Sequence, residues 1–218
     1  MSIRHHLTDE LLMAYAAGIL PEAFNLVVAT HVSLCDECRA RLGAYEALGG
    51  AVLEDVPGAA VSVGSLAATM ALIRDRGKDP IVAPPQAPRP ASGLFPAPLR
   101  SYVGGDVEVV KWRPMGGGVR QAILPSSKDA TVRLLYIPAG AAVPDHGHRG
   151  TELTQVLQGA FRDDADRFGP GDIEVASEET QHRPVAEAGA DCICLAATDA
   201  PLRFSTMLPR IVQPFFRI

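Results

Sequence analysis

The sequence predicts an α + β two-domain chain, a small N-terminal helical domain followed by an all-β barrel, and three observations carry that reading. Apolar residues recur at helical spacing from Leu11 to Ile73. Residues 80–98, PIVAPPQAPRPASGLFPAP, then hold 7 of the chain's 18 prolines and almost no charge. Beyond them come short alternating or apolar runs punctuated by Gly and Pro, the pattern of a sandwich or barrel. The boundaries this implies are 1–78 for the helical domain, 79–99 for a Pro-rich linker and 100–218 for the barrel.

Each element has a local cause. Thr8 can cap a first helix over Asp9–Ala17, with Asp9 and Glu10 at its positive end and Gly18 ending it. Pro21 suits the first turn of a second helix running toward Leu34, where Phe24, Val27, Val28 and Leu34 follow helical spacing. A third helix is expected from Asp36 to Leu48, stopping at Gly49-Gly50. After a loop with Pro57 and Gly58, Ser62 or Ser65 can cap a fourth segment bearing Leu66, Met70 and Ile73. A helical core of roughly 50 residues is small enough to need a metal or a partner. Proline fixes φ and lacks a donor, so the linker reads as a semi-stiff spacer of ~3 Å per residue. Strands are expected in DVEVVKW, VRQAIL, TVRLLYI, ELTQVLQG, DIEVA and DCICLAA. No internal repeat is visible.

Charge narrows the function. The chain of 218 residues has a formal charge of −5. Residues 1–80 carry 6 basic and 10 acidic side chains, and residues 101–218 carry 12 and 15. Neither half is basic, which argues against direct nucleic-acid binding. No apolar stretch reaches the 18 residues of a membrane span. The opening MSIRHHLTDE has no apolar core of a signal peptide. A cytoplasmic location is therefore expected, with the four Cys as thiols or metal ligands rather than disulfides.

The first cluster lies in HVSLCDEC. His31, Cys35 and Cys38 stand at i, i+4 and i+7, one helix face, and a break at Cys35 would still turn the three inward. Two thiolates and an imidazole suit zinc, whose structural sites want four ligands. The fourth is His5 or His6, the other histidines in this half, and spacing does not separate them. A redox Cys-x-x-Cys is disfavoured because its β-α-β setting is missing. Thiolate ligation also makes such a site oxidisable, and metal loss would loosen the domain.

The second cluster lies in GAAVPDHGHRGTELTQVLQG, a Gly-x5-His-x-His-x3-Glu-x6-Gly pattern. On a strand His146 and His148 share a side, and Glu152 can return on the next strand. FGPGDIEVASEETQHRP adds a turn, a strand and His182. Three imidazoles and a carboxylate converging inside a barrel read as a metal-binding cupin, a jelly-roll fold that holds Zn, Fe, Mn, Ni or Cu. Cys192 and Cys194 share a strand face and read as small buried hydrophobes, an i, i+2 pair being poorly placed for a mutual disulfide.

The upstream histidine with His-x3-Cys-x2-Cys resembles the zinc-binding anti-sigma domain of bacterial regulators. GAAVPDHGHRGTELTQVLQG resembles the first cupin motif. Together with LLMAYAAG, ATHVSLCDECRAR, GGGVRQAILP, DCICLAATDAPLRF and LPRIVQPFFRI, they make the chain similar to the ChrR family of zinc anti-sigma factors over nearly its whole length. That resemblance implies a non-enzymatic regulator, a zinc-stabilised helical domain that packs between the two polymerase-binding domains of an extracytoplasmic-function sigma factor. It implies a response to singlet oxygen or organic peroxides, sensed through the cupin. Carried over by position, it places zinc on His6, His31, Cys35 and Cys38, and zinc or another divalent transition metal on His146, His148, Glu152 and His182. The gap from Gly171 to His182 is longer than in general cupins and the usual following Asn is absent, which further disfavours enzyme-like activity. Leu66, Met70 and Ile73 are candidate sigma contacts. The helical domain alone is expected to inhibit, with the cupin needed for release. The alternative is a cupin dioxygenase or isomerase, which needs an open coordination position.

Overall fold

A computed structural model of the chain describes residues 2–76, 93–201 and 203–204. Residues 77–92, most of the expected linker, and the C-terminal LPRIVQPFFRI lie outside the described residues.

Three helices form a bundle at the N-terminus. Helix α1, Asp9–Ala16, starts where the Thr8 hydroxyl accepts the Leu11 N–H at 3.3 Å. Gly18 follows at φ 69°, a left-handed position that ends a helix at little cost for glycine. Helix α2, Glu22–Val32, follows Pro21, and α3, Asp36–Glu54, is capped by the Cys35 sulfur, which accepts the Cys38 N–H at 3.4 Å. The expected stop at Gly49-Gly50 is overturned, since α3 runs through both glycines to Glu54. Glycine inside a helix costs about 1 kcal/mol against alanine. It ends a helix by adopting positive φ, and neither Gly49 nor Gly50 does so. Helix α4, Ser65–Arg76, buries none of its residues.

The end of the proline-rich run is folded. Pro96 precedes helix α5, Ala97–Val103, and Pro98 lies in its first turn, where a missing N–H costs no bond. Phe95 and Leu99 from this stretch are wholly buried. The strand expected in DVEVVKW does not form. Asp106 accepts the N–H groups of Leu94 at 3.1 Å and Val107 at 2.7 Å, and the chain turns into a short 3-10 segment at Val107–Val109.

The barrel is antiparallel. Strands β1 (Arg113–Gly116), β2 (Val119–Leu124), β3 (Thr131–Ile137), β5 (Glu152–Gln158), β8 (Ile173–Ala176) and β11 (Cys192–Thr198) make one sheet in the order β1-β2-β3-β11-β5-β8. Two small sheets complete it. One orders β10 (Val185–Ala186), β6 (Phe161–Arg162) and β7 (Arg167–Phe168). The other orders β12 (Arg203–Phe204), β4 (His146–Gly147) and β9 (Gln181–His182). Strand β1 has no apolar alternation to reveal it.

Alternation gives the large sheet two apolar faces. The inner one joins Ile137, Val156, Cys192 and Cys194 to Phe161 and Phe168. The outer one, with Val132, Leu134, Leu153, Leu157, Leu195 and Ala197, belongs to the same core as Leu12, Phe24, Val27 and Val28 of the bundle. The short helical bundle thus completes its core on the barrel's outer sheet.

Candidate metal centres

The first cluster is built at the joint between α2 and α3. His31 sits on the last turn of α2, Cys35 caps α3, Cys38 lies in its first turn, and His6 arrives on the segment before α1. The four donor groups lie within 4.8 Å of one another. The Nδ1 of His6 stands 3.3 Å from the Cys35 sulfur and 3.7 Å from that of Cys38. Its Nε2 is 3.3 Å from a Glu37 carboxylate oxygen, which fixes the ring and turns Nδ1 toward the sulfurs. His5 points the other way, its ring tilted against that of Phe168 with centroids 4.4 Å apart and pairing with Asp166 at 3.0 Å. Geometry therefore separates the two histidines that spacing left open.

His31 is completely buried, and neither ring nitrogen makes a close hydrogen bond among the described residues, the Gly171 backbone acting on the ring only weakly. Burial, reinforced by the nearby His6, pushes its pKa down to about 4, so the imidazole is neutral and has a lone pair to give. Burial likewise pushes the Cys38 thiol up to about 11, because two thiolates without a cation are costly there. An orphaned buried imidazole beside two buried sulfurs is a donor set that a soft or borderline divalent cation would satisfy.

The second cluster lies inside the barrel. His146 pairs with His182 across β4 and β9, and His148 follows one residue beyond β4. The Nε2 of His182 is 3.2 Å from that of His146 and 3.3 Å from that of His148. All three rings thus direct Nε2 at one point. The outer nitrogens are held from behind: His146 Nδ1 by the Pro144 carbonyl at 2.8 Å, His182 Nδ1 by Glu174 at 2.8 Å and Asp163 at 3.1 Å. Burial lowers the pKa of His148 to about 4 and also depresses that of His146. His182 is raised despite its burial because Glu174 and Asp163 outweigh that cost. Three of the four expected residues converge. Glu152 stands behind them, 3.8 Å from His148 Nδ1, with its carboxylate accepting the Thr154 hydroxyl at 3.0 Å.

The supporting carboxylates Glu37, Asp163 and Glu174 were not legible as ligand holders. Glu174 alone left a signal, an acid at an inward position of the apolar run DIEVA. Cys192 and Cys194 are buried in the inner core with sulfurs 3.5 Å apart, in keeping with their reading as small hydrophobes.

Comparison with known proteins identifies the architecture. Residues 101–201 match the family model described as the ChrR Cupin-like domain. The anti-sigma-E factor ChrR of Cereibacter sphaeroides is 63% identical over 218 residues, all of both chains. The ChrR chain in the crystal structure of Rhodobacter sphaeroides SigE in complex with the anti-sigma ChrR is 60% identical, with a TM-score of 0.79. That match covers 91% of this chain and 100% of the crystallised one. Among the described residues no helix is long and apolar enough to cross a membrane.

Proposed function

This chain belongs to the ChrR family of anti-sigma factors, and we propose that it binds an extracytoplasmic-function sigma factor and keeps it from core RNA polymerase. It is a negative regulator of transcription rather than an enzyme. One structural observation supports this reading most. Helix α4 buries nothing, and it leaves Leu66, Leu72 and Ile73 at 75%, 65% and 58% exposure, apolar side chains that a partner would cover. The end of α3 also exposes Leu48, Val52 and Leu53. The sigma factor is the partner that covers this surface.

In this reading zinc is held by His6 through Nδ1, by His31 and by the sulfurs of Cys35 and Cys38. It closes a four-ligand structural site that ties the segment before α1 to the α2–α3 joint. A divalent transition metal, zinc by family resemblance, is held in the barrel by His146, His148 and His182 through Nε2. Glu152 is the fourth ligand on leaving Thr154. When bound, the metals supply cross-linking and charge neutralisation. The helical domain spans 1–78 and the linker begins at 79 but gives way to the folded cupin before Phe95, ahead of the expected boundary at 99, and the cupin senses an oxidative signal, singlet oxygen or peroxide, that ends the inhibition in the cytoplasm.

The test is complex formation between the zinc-loaded chain and the sigma factor SigE of Rhodobacter sphaeroides, followed by gel filtration. A stable complex is expected, and Leu66→Asp with Ile73→Asp should abolish it without altering the circular dichroism of the free chain. Full binding by that double variant would remove α4 from the interface.

A further inference from the structure

The seam between the helical bundle and the barrel is held by polar contacts at two places and contains one buried amide without a partner among the described residues. At one end the segment before α1 is strapped to the barrel. Asp172 accepts the backbone N–H groups of Arg4 at 2.6 Å and His5 at 3.1 Å, and Ile173 donates its N–H to the His5 carbonyl at 3.4 Å. Gly171, at φ 90°, lets Ile3 lie so close that a side chain there would collide with it. At the other end, the first residue of α2 is clasped. Glu22 accepts the Tyr102 hydroxyl of α5 at 2.9 Å and the Ser127 N–H of the β2–β3 loop at 2.8 Å.

Next to the strap lies Gln155, which pairs with Ile173. It alternates with Leu153 and Leu157 on the helix-facing side of β5, opposite Leu195 of β11 and Ile173 of β8. Its side chain is completely buried, and neither the amide nitrogen nor the oxygen finds a partner among the described residues. A buried amide left without bonds opposes the closed state, because opening would hydrate it. An apolar residue at this position would fit the surrounding leucines better.

The geometry points to a seam built to open: we propose that the bundle and the barrel separate reversibly as rigid pieces, with Gln155 setting the ease of opening and the Arg4–His5 strap and the Glu22 clasp opposing it. The strap ends one residue before His6, so opening frees the backbone that leads into a candidate ligand of the Cys35 and Cys38 cluster. The seam thereby couples the barrel to the helical metal cluster. This last consequence rests on the anti-sigma reading. The opening itself is a property of the chain alone and is tested without a sigma factor.

The test is amide hydrogen exchange of the zinc-loaded full chain, read by NMR at Arg4 and His5, whose N–H groups are protected only across the seam. Gln155→Met keeps the volume and removes the unpartnered amide, and should slow exchange at both sites about tenfold. Glu22→Ala cuts the clasp at the far end of α2. It should speed exchange at Arg4 and His5 severalfold while leaving the barrel amide of Leu195 unchanged. The second variant separates a concerted opening from fraying of the strap. If either variant leaves exchange at Arg4 and His5 unchanged, or if Gln155→Met speeds it, the proposal is overturned.

Discussion

Replacing His31 by leucine should reverse its effect on stability according to whether zinc is present. The wild-type imidazole is wholly buried and its two nitrogens make no close hydrogen bond among the described residues, with only a weak influence from the Gly171 backbone. In metal-free protein those nitrogens oppose folding, and an unsatisfied buried polar group costs about 1–3 kcal/mol. Leucine has a similar size and no polar atom, so metal-free His31→Leu should be more stable than metal-free wild type by about that amount. With zinc, the imidazole becomes one of four ligands. Losing it should weaken binding by more than the 10–100-fold that an outer-shell change costs. The assay is urea denaturation followed by circular dichroism, run for both proteins with chelator and with excess zinc. A His31→Leu protein less stable than wild type in chelator would refute the reasoning. It would mean that the ring is held by bonds or packing of its own rather than waiting for a cation.

Three further outcomes are expected. Full-length protein purified with metal should hold two ions per chain by elemental analysis, falling to one in Cys35→Ser with Cys38→Ser and to one in His146→Ala with His148→Ala. Phe95→Ala should destabilise the chain by about 3–5 kcal/mol in denaturant, because its ring fills the core from within the proline-rich run. Burial alone would raise the Asp172 carboxyl, but the N–H groups of Arg4, Gly169 and His5 outweigh it and hold it below the ordinary 3.8. A carboxylate with a lowered folded-state pKa stabilises above its unfolded value and loses that contribution as pH falls through the folded one. Protection of the Arg4 and His5 amides should therefore persist at pH 5 and disappear only below pH 3.8.

Where the sequence was legible, a local chemical rule was decisive. Thr8 and Gly18 bracket α1 because capping and positive φ are properties of single residues. The cluster around Cys35 was readable because its three candidate donors fall within eight residues, and the barrel histidines because strand alternation places His146 and His148 together. What was hidden depends on partners distant in the chain. His5 and His6 are adjacent and chemically identical, and Asp166 and Glu37 decide between them. Glycines at 49 and 50 did not end α3 because glycine permits a left-handed stop without requiring one, and neither takes positive φ. Asp106 turned an alternating run away from the sheet by capping it. The docking of α2 on the barrel was invisible for the same reason, since an apolar helix face does not announce which surface will cover it.

The most direct measurement is transcription by core polymerase with the neighbouring extracytoplasmic-function sigma factor, in the presence of zinc-loaded full-length protein or its Cys35→Ser, Cys38→Ser variant. Transcription should be suppressed by the zinc-loaded protein and should return to the uninhibited level with the variant. Undiminished transcription with metal-replete wild type would contradict an anti-sigma role toward that partner. Equal suppression by both proteins would contradict the part assigned to the His6–His31–Cys35–Cys38 cluster.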